Sequence, residues 1–192
     1  MADLVSQPAP PALSEAMVLD AEGAATALGQ RWVQSPAVIV FLRHFACAAC
    51  CEHVYQLAPR LTEFTRLGLR VVYVGNGAAN FIEGFVERNE IEIERVEVVT
   101  DPSLRAFKAA GLRNGVASTF GPRALLRHFR AASMFGARKP EGHNLQQGGV
   151  IVIDAERRVS FHHRDRFLGD HAVIGDVIEA AMAAAGSASV VP

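Results

Sequence analysis

Residues 45–51 read FACAACC and hold every cysteine of the chain: Cys47, Cys50 and Cys51. Cys47 lies three positions before Cys50 and four before Cys51. Both spacings put side chains on one face of a helix. A thiol at a helix N-terminus meets unpaired backbone N–H groups and the positive end of the helix dipole, which favour the thiolate, and the thiolate is the nucleophile. A second thiol one turn further on can attack a mixed disulfide or a sulfenic acid formed on the first. This reading makes Cys47, exposed at the helix tip, the nucleophile and Cys50 the resolving residue, with Cys51 as a substitute. Adjacent helical residues project about 100° apart, so Cys50 and Cys51 are not equally placed for that step. Zinc binding is the second reading. A structural zinc site needs four ligands, and three cysteines on one turn with His44 or His53 would be cramped. In the third, these are simply small residues buried at a helix start.

Three further groups bear on the choice. Arg43 and His44 directly precede the cluster. A cation there favours the Cys47 thiolate, although a charge at a strand end is also an ordinary surface feature. The run HHRDR (162–166) could bring Arg164 to the edge of the same site, but solvated charge is common on edge strands. In the pair Asp170-His171, helix capping explains the aspartate.

The cysteines need an element on each side. AVIVFLR (Ala37 to Arg43) is an almost unbroken apolar run and reads as a strand buried on both faces. From about Ala48 the pattern becomes helical, with Val54, Leu57, Leu61 and Phe64 three and four apart and Pro59 as a kink or break. Further on, Leu69 to Gly75 reads as a strand ended by the GNG turn, AANFIEGFVERNE as a helix, and Val96 to Thr100 as a third strand. DPSLRAFKAAG is expected to be a helix capped by Asp101, with Pro102 in its first turn and Gly111 at its end. Gly149 to Asp154 and Arg158 to His163 read as two strands joined by a tight turn. A last helix is expected behind an Asp170 cap, with Val173, Ile174, Val177, Ile178, Ala181 and Met182 as its apolar stripe. Ahead of the first core strand, residues 17–36 supply a short strand and a turn of helix.

Strand, helix, strand, helix, strand, helix, insertion, hairpin, helix is the order of a thioredoxin-like α/β domain. Right-handed crossovers make the core strands parallel, the C-terminal hairpin adds antiparallel strands, and helices cover both faces of a central mixed sheet. The domain is expected over 18–186, with a less regular insertion at about 113–148, a mobile Pro-rich lead over 1–17 and a tail at 187–192.

Composition narrows the function. The 192 residues fit one domain. The formal net charge of −1 argues against a nucleic-acid binder and against an anionic-membrane binder. Apolar runs fall far short of the ~20 residues that span a bilayer, and the first residues lack a signal-peptide pattern. One cysteine cluster is not the spread framework of a secreted scaffold, so the reducing cytoplasm is the expected compartment. Charge is uneven, however. Residues 83–101 hold seven acids and two arginines, and residues 113–140 hold six Lys/Arg and no acid. Arg123, Arg127 and Arg130 share one helical face, with Leu125, Phe129 and Ala132 opposite. The basic segment suits an acidic partner or a second copy of the chain, as in a homodimer; a solvated face over an apolar stripe is the plainer reading. Phe120, Met134 and Phe135 are candidates for a lid over the thiols.

The segments VIVFLRHFACAACCEHV, VYVGNG, TDPSLRAFKAAGL, QQGGVIVID and FHHRDRFLGDHA resemble, in the same order, the peroxiredoxin-like 2 group of the alkyl hydroperoxide reductase/thiol-specific antioxidant superfamily. That group is related to selenoprotein L and to prostamide/prostaglandin F synthase. The resemblance runs from about Val18 to Ala185. It implies a thioredoxin-like fold and thiol-dependent reduction of a peroxide, a disulfide or an endoperoxide, with Cys47 and Cys50 at the family's CxxC positions. It also implies an external electron donor, such as a thioredoxin or glutathione system. No organic cofactor or metal is called for, because sulfur carries the electrons. The sequence departs from the wider pattern in three places. Cys51 stands where relatives often carry Arg, Gly148-Gly149 stands where a thioredoxin has its cis-proline, and a Thr-x-x-Cys signature is absent. A peroxidase is the leading expectation and a disulfide reductase the second. A redox-responsive binding protein without turnover is the reading from a different class.

Overall fold

Val, Ile and Phe dominate the runs that become the central strands, as expected where a strand is covered on both faces. The computed structural model describes residues 4–187 and arranges seven strands in the order β2-β1-β5-β4-β3-β6-β7. These are β1 (Met17–Leu19), β2 (Ala25–Ala27), β3 (Ala37–Phe41), β4 (Arg70–Gly75), β5 (Val96–Thr100), β6 (Gly149–Ile153) and β7 (Val159–Arg164). The core strands β3, β4 and β5 run parallel. β6 pairs antiparallel with β3, Phe41 opposite Gly149, and β7 closes that edge as the second arm of a hairpin. The parallel core, the antiparallel hairpin and the thioredoxin-like order are those expected from the sequence.

The helices are α1 (Pro11–Ser14), α2 (Ala48–Leu57), α3 (Leu61–Arg66), α4 (Phe81–Arg88), α5 (Arg105–Ala109), α6 (Val116–Phe120), α7 (Pro122–Phe135) and α8 (Ile174–Ser187). They cover both faces of the sheet. On β3 the side chains alternate: Val38 and Val40 join a core with residues of α2, α3, α4, α7 and α8. Ala37, Ile39 and Phe41 join a second core with α1, α5 and the helical turn at Leu28–Trp32. Pro59 falls in the 3-10 turn Ala58–Arg60 that separates α2 from α3, because proline has no N–H to continue the ladder.

Several expectations need correction. Residues 4–17 of the lead pack on the domain: Leu13 is buried in the second core, and Pro8 bridges to Arg158. Burial of one leucine beneath a short proline-started helix outweighs the Pro-rich composition. Residues 17–27 form two strands rather than one, β1 and β2 pairing as a hairpin. Helix α5 begins at Arg105, not Pro102, because Leu104 takes a left-handed conformation (φ +59°). Leu104, not Asp101, is therefore its N-cap residue, although the Asp101 carboxylate accepts from the Ala106 N–H at 2.7 Å. Asp170 does not cap the last helix, which begins four residues later; its carboxylate holds Arg166 at 2.8 Å instead. The insertion is more regular than expected, since residues 116–135 are almost wholly helical. The remainder of the expected tail, 188–192, lies outside the described residues.

Candidate active site

The end of β3 delivers the cysteines. Beyond Phe41 the chain leaves the sheet, and the Cys47 N–H donates to the His44 carbonyl at 3.1 Å, closing a turn. Cys47 is extended (φ −74°, ψ 113°) and occupies the N-cap of α2. The Cys51 N–H then donates to the Cys47 carbonyl at 3.0 Å as the helix begins. Phe45 anchors the turn: its ring packs 5.1 Å from that of Phe85 and against the bare Cα of Gly75.

Arg43 is not a surface charge at a strand end. It is 2% exposed. Its Nε donates to the Gln146 carbonyl at 3.0 Å, one terminal nitrogen donates to the Asn144 carbonyl, and the other lies 3.6 Å from Cys47 Sγ. Its backbone N–H donates to Cys50 Sγ at 3.2 Å. Asn76 fixes this arrangement from β4's end: its Nδ2 donates to the Arg43 carbonyl, and its Oδ1 accepts from the His143 N–H at 2.8 Å. The sequence marks Asn76 only as a turn residue, and nothing in GNG signals the contact with Arg43. His44 is buried beside the thiol, and its Nδ1 has no hydrogen-bond partner among the described residues.

The three thiols differ in character. Cys47 is held well below the usual thiol range, chiefly by the hydrogen bond from Cys50, with Arg43 and His44 adding to it against the opposing effect of burial. Cys50 is pushed well above that range by burial and then by Cys47, so it stays a protonated donor. Cys51 is pushed up to about 11, mainly by burial and then by the Cys47 charge. Burial also lowers His44, which favours the neutral imidazole. Cys47 was expected to be exposed at the helix tip. It is at the tip but only 4% exposed, because α6, α7 and the loop before β6 close over it. It lines a cavity of about 160 Å³ with Arg43, His44, Phe120, Leu125 and His128. Of the lid candidates, Phe120 lines this cavity. Phe135 packs instead toward the Tyr55 ring, 6.0 Å away, and Met134 is exposed. Arg164 is not brought to the thiols: it pairs with Gly149 on the edge strand β7 and does not line the cavity.

A second group lies beneath α2, largely unsignalled in the sequence. His171 Nε2 is 2.7 Å from the Ala49 carbonyl, and its Nδ1 is 3.3 Å from Asp165 Oδ2. Its ring stacks on that of His53 at 4.5 Å. On the other side of the buried Asp165, His163 Nε2 lies 3.4 Å from Oδ1. A carbonyl at one nitrogen of His171 and a carboxylate at the other both call for an N–H, which is the imidazolium pattern. Burial lowers His171, but Asp165 outweighs it and the net shift is upward. The alternation in HHRDR and the DHA that follows gave residue types here, but not their convergence under the first turn of α2.

A sheet of this order, presenting a thiolate-favouring cysteine at the start of its first core helix with a second thiol one turn on, defines a thioredoxin-like thiol-redox protein. Comparison with known proteins narrows the class: a family model described as AhpC/TSA antioxidant enzyme matches residues 56–167, and the chain belongs to that family. The match begins beyond Cys51, so it rests on the scaffold. The chain is 28% identical over 184 residues to peroxiredoxin-like 2C of Homo sapiens, covering 90% of this chain and 80% of that protein. It is 27% identical to a chloroplastic thioredoxin-like protein, AAED1, of Arabidopsis thaliana, with 89% and 72% covered. It is 23% identical to a prostamide/prostaglandin F synthase of Salmo salar, with 82% and 80% covered. Among solved structures, the bacterioferritin comigratory protein of Xanthomonas campestris superposes with a TM-score of 0.63 at 14% identity, covering 97% of this chain and 99% of that one. That likeness concerns the fold alone.

Proposed function

We propose that the chain reduces a small peroxide through a dithiol cycle on Cys47 and Cys50. The observation that carries this reading is the pairing of Cys47 with the Arg43 guanidinium at 3.6 Å, both lining a small cavity. The Cys47 thiolate attacks one peroxide oxygen. The O–O bond breaks, the alkoxide leaves and takes a proton, and Cys47 becomes a sulfenic acid while the peroxide is reduced to an alcohol. Arg43 is placed to stabilise negative charge on both the attacking sulfur and the leaving oxygen. Cys50 then attacks the Cys47 sulfur, its proton leaves with the departing hydroxide as water, and a Cys47–Cys50 disulfide forms. Two equivalents of an external thiol, from a thioredoxin or glutathione system in a reducing cytoplasm, return the pair to the dithiol.

A cavity of about 160 Å³ is smaller than the ~300–1,000 Å³ of pockets for drug-sized ligands. Cys47, 4% exposed in the wall of this cavity, offers little surface to a folded protein's disulfide, which favours the peroxide over the disulfide substrate. The test is turnover of hydrogen peroxide and of a small alkyl hydroperoxide with dithiothreitol as donor, by the wild type and by Cys47→Ser. Consumption that vanishes in Cys47→Ser supports the reading. Oxidation of Cys47 without turnover would favour a redox-responsive binding protein, and reduction of a small disulfide but no peroxide would favour a reductase.

A further inference from the structure

We propose that the outer face of α7, with α6 beside it, docks on an anionic lipid surface. Helix α7 is amphipathic in an unusual sense. The residues it turns inward are small: Ala124 and Ala131 are buried in the core cluster shared with α2. Only small side chains fit where α7 lies along α2, so the large apolar residues were left outside. Leu126 is 73% and Phe129 65% exposed, and Leu125, with Phe120 and Val116 on α6, is also exposed. At about 100° per residue, Leu125, Leu126 and Phe129 fall within one arc of roughly 100°, opposite the buried alanines. The stripe expected to lie under a solvated basic face is therefore itself in solvent.

Arg123, Arg127 and Arg130 line one border of that arc and are exposed. Residues 113–140 carry no acid, and none of their six Lys/Arg makes an ion pair among the described residues. An exposed Leu/Phe stripe bordered by unpaired arginines on a helix of modest length is the pattern of an interfacial helix. The whole-chain charge of −1 hides it, because the acids are concentrated in residues 83–101. A second copy fits less well. An antiparallel two-fold contact of this face would oppose arginine to arginine, and part of the acidic segment is already used, Glu97 by Arg31 and Glu92 by Arg95. Phe120 and Leu125 also line the cavity over Cys47, so docking turns the mouth of that cavity toward the lipid.

The experiment is co-sedimentation of the full chain with vesicles of phosphatidylcholine mixed with phosphatidylserine, and with vesicles of phosphatidylcholine alone. Binding should be confined largely to the mixed vesicles and weaken with added salt. It should fall at least about tenfold in Arg123→Glu/Arg127→Glu/Arg130→Glu and in Leu126→Glu/Phe129→Glu, whose substituted side chains are already in solvent. Leu126→Trp should show blue-shifted emission on mixed vesicles. Cys47→Ser should bind like the wild type, so this result stands apart from the fate of the thiol mechanism. No binding to the mixed vesicles would overturn the proposal, as would binding that survives Leu126→Glu/Phe129→Glu. If the wild type dimerises in solution, leaves vesicles alone, and becomes monomeric in those same variants, the face is a self-interface and the lipid proposal is wrong.

Discussion

The guanidinium of Arg43 stands 3.6 Å from Cys47 Sγ while its other nitrogens are tied to the carbonyls of Gln146 and Asn144. The cation is thus fixed by the loop before β6 and not by a carboxylate that would cancel its charge. Removing it should raise the Cys47 pKa. Arg43→Met is expected to slow iodoacetamide labelling of Cys47 about tenfold for each pKa unit gained, read at a pH below the Cys47 pKa of both proteins, where one unit is a factor of ten in thiolate. In the wild type, labelling falls as pH drops through the low Cys47 pKa; in the variant that fall should come at higher pH. Identical pH profiles would mean that Arg43 serves the loop alone.

The two candidate resolving thiols should separate by mutation. Cys50 shares the Cys47 sulfur environment and receives the Arg43 N–H at 3.2 Å, whereas Cys51 feels the Cys47 charge but also meets Asn89 and the Arg88 charge. In Cys50→Ser, mass mapping after one equivalent of peroxide should find a sulfenic acid at Cys47 or a Cys47–Cys51 bond, with slowed recycling. Cys51→Ser should keep the Cys47–Cys50 bond and most of the turnover. A dominant Cys47–Cys51 bond in the wild type would reverse the assignment.

The histidines under α2 predict a stability maximum near neutrality. Burial drives His53 down to about 3, so the unfolded chain binds a proton there that the folded chain refuses, and stability falls as pH drops from about 6.5 toward 3. His171 and His163 are raised by Asp165 against burial. Their contribution is full below about 6.5 and is lost as pH rises through their folded values. Urea titrations across pH should show both limbs in a Cys47→Ser background, where the low-pKa thiolate no longer adds stability as pH rises. His53→Phe should flatten the acid limb. His171→Leu should flatten the alkaline limb and cost about 3 kcal/mol, because it leaves the Asp165 carboxylate without one partner. A pH-independent midpoint in that Cys47→Ser background would refute the network.

Gly75 should be intolerant of a side chain. A Cβ there would overlap the Phe45 ring, which is buried and carries the turn leading to Cys47. Gly75→Ala is expected to destabilise by about 1–3 kcal/mol from overpacking and to slow Cys47 labelling, as the turn shifts. Gly175→Ala, where a Cβ meets nothing, serves as the control and should do neither.

Local pattern was enough for the frame. The unbroken apolar run 37–41 reads as a strand covered on both faces, and the three-and-four spacing after Ala48 as a helix packed on one side. The cysteines therefore had to fall at a strand-to-helix junction. The N-cap place of Cys47 and the break at Pro59 follow from backbone chemistry within a few residues. What the sequence could not supply is everything that depends on distant segments meeting. Arg43 read equally well as surface or site until residues 144 and 146 closed over it. Asp165, His171 and His53 lie as much as 118 positions apart and converge only because β6, β7 and the last turn before α8 bring them under α2. On α7 the pattern gave the stripe but not its direction, because periodicity fixes which residues share a face and only the neighbouring helix decides which face is buried.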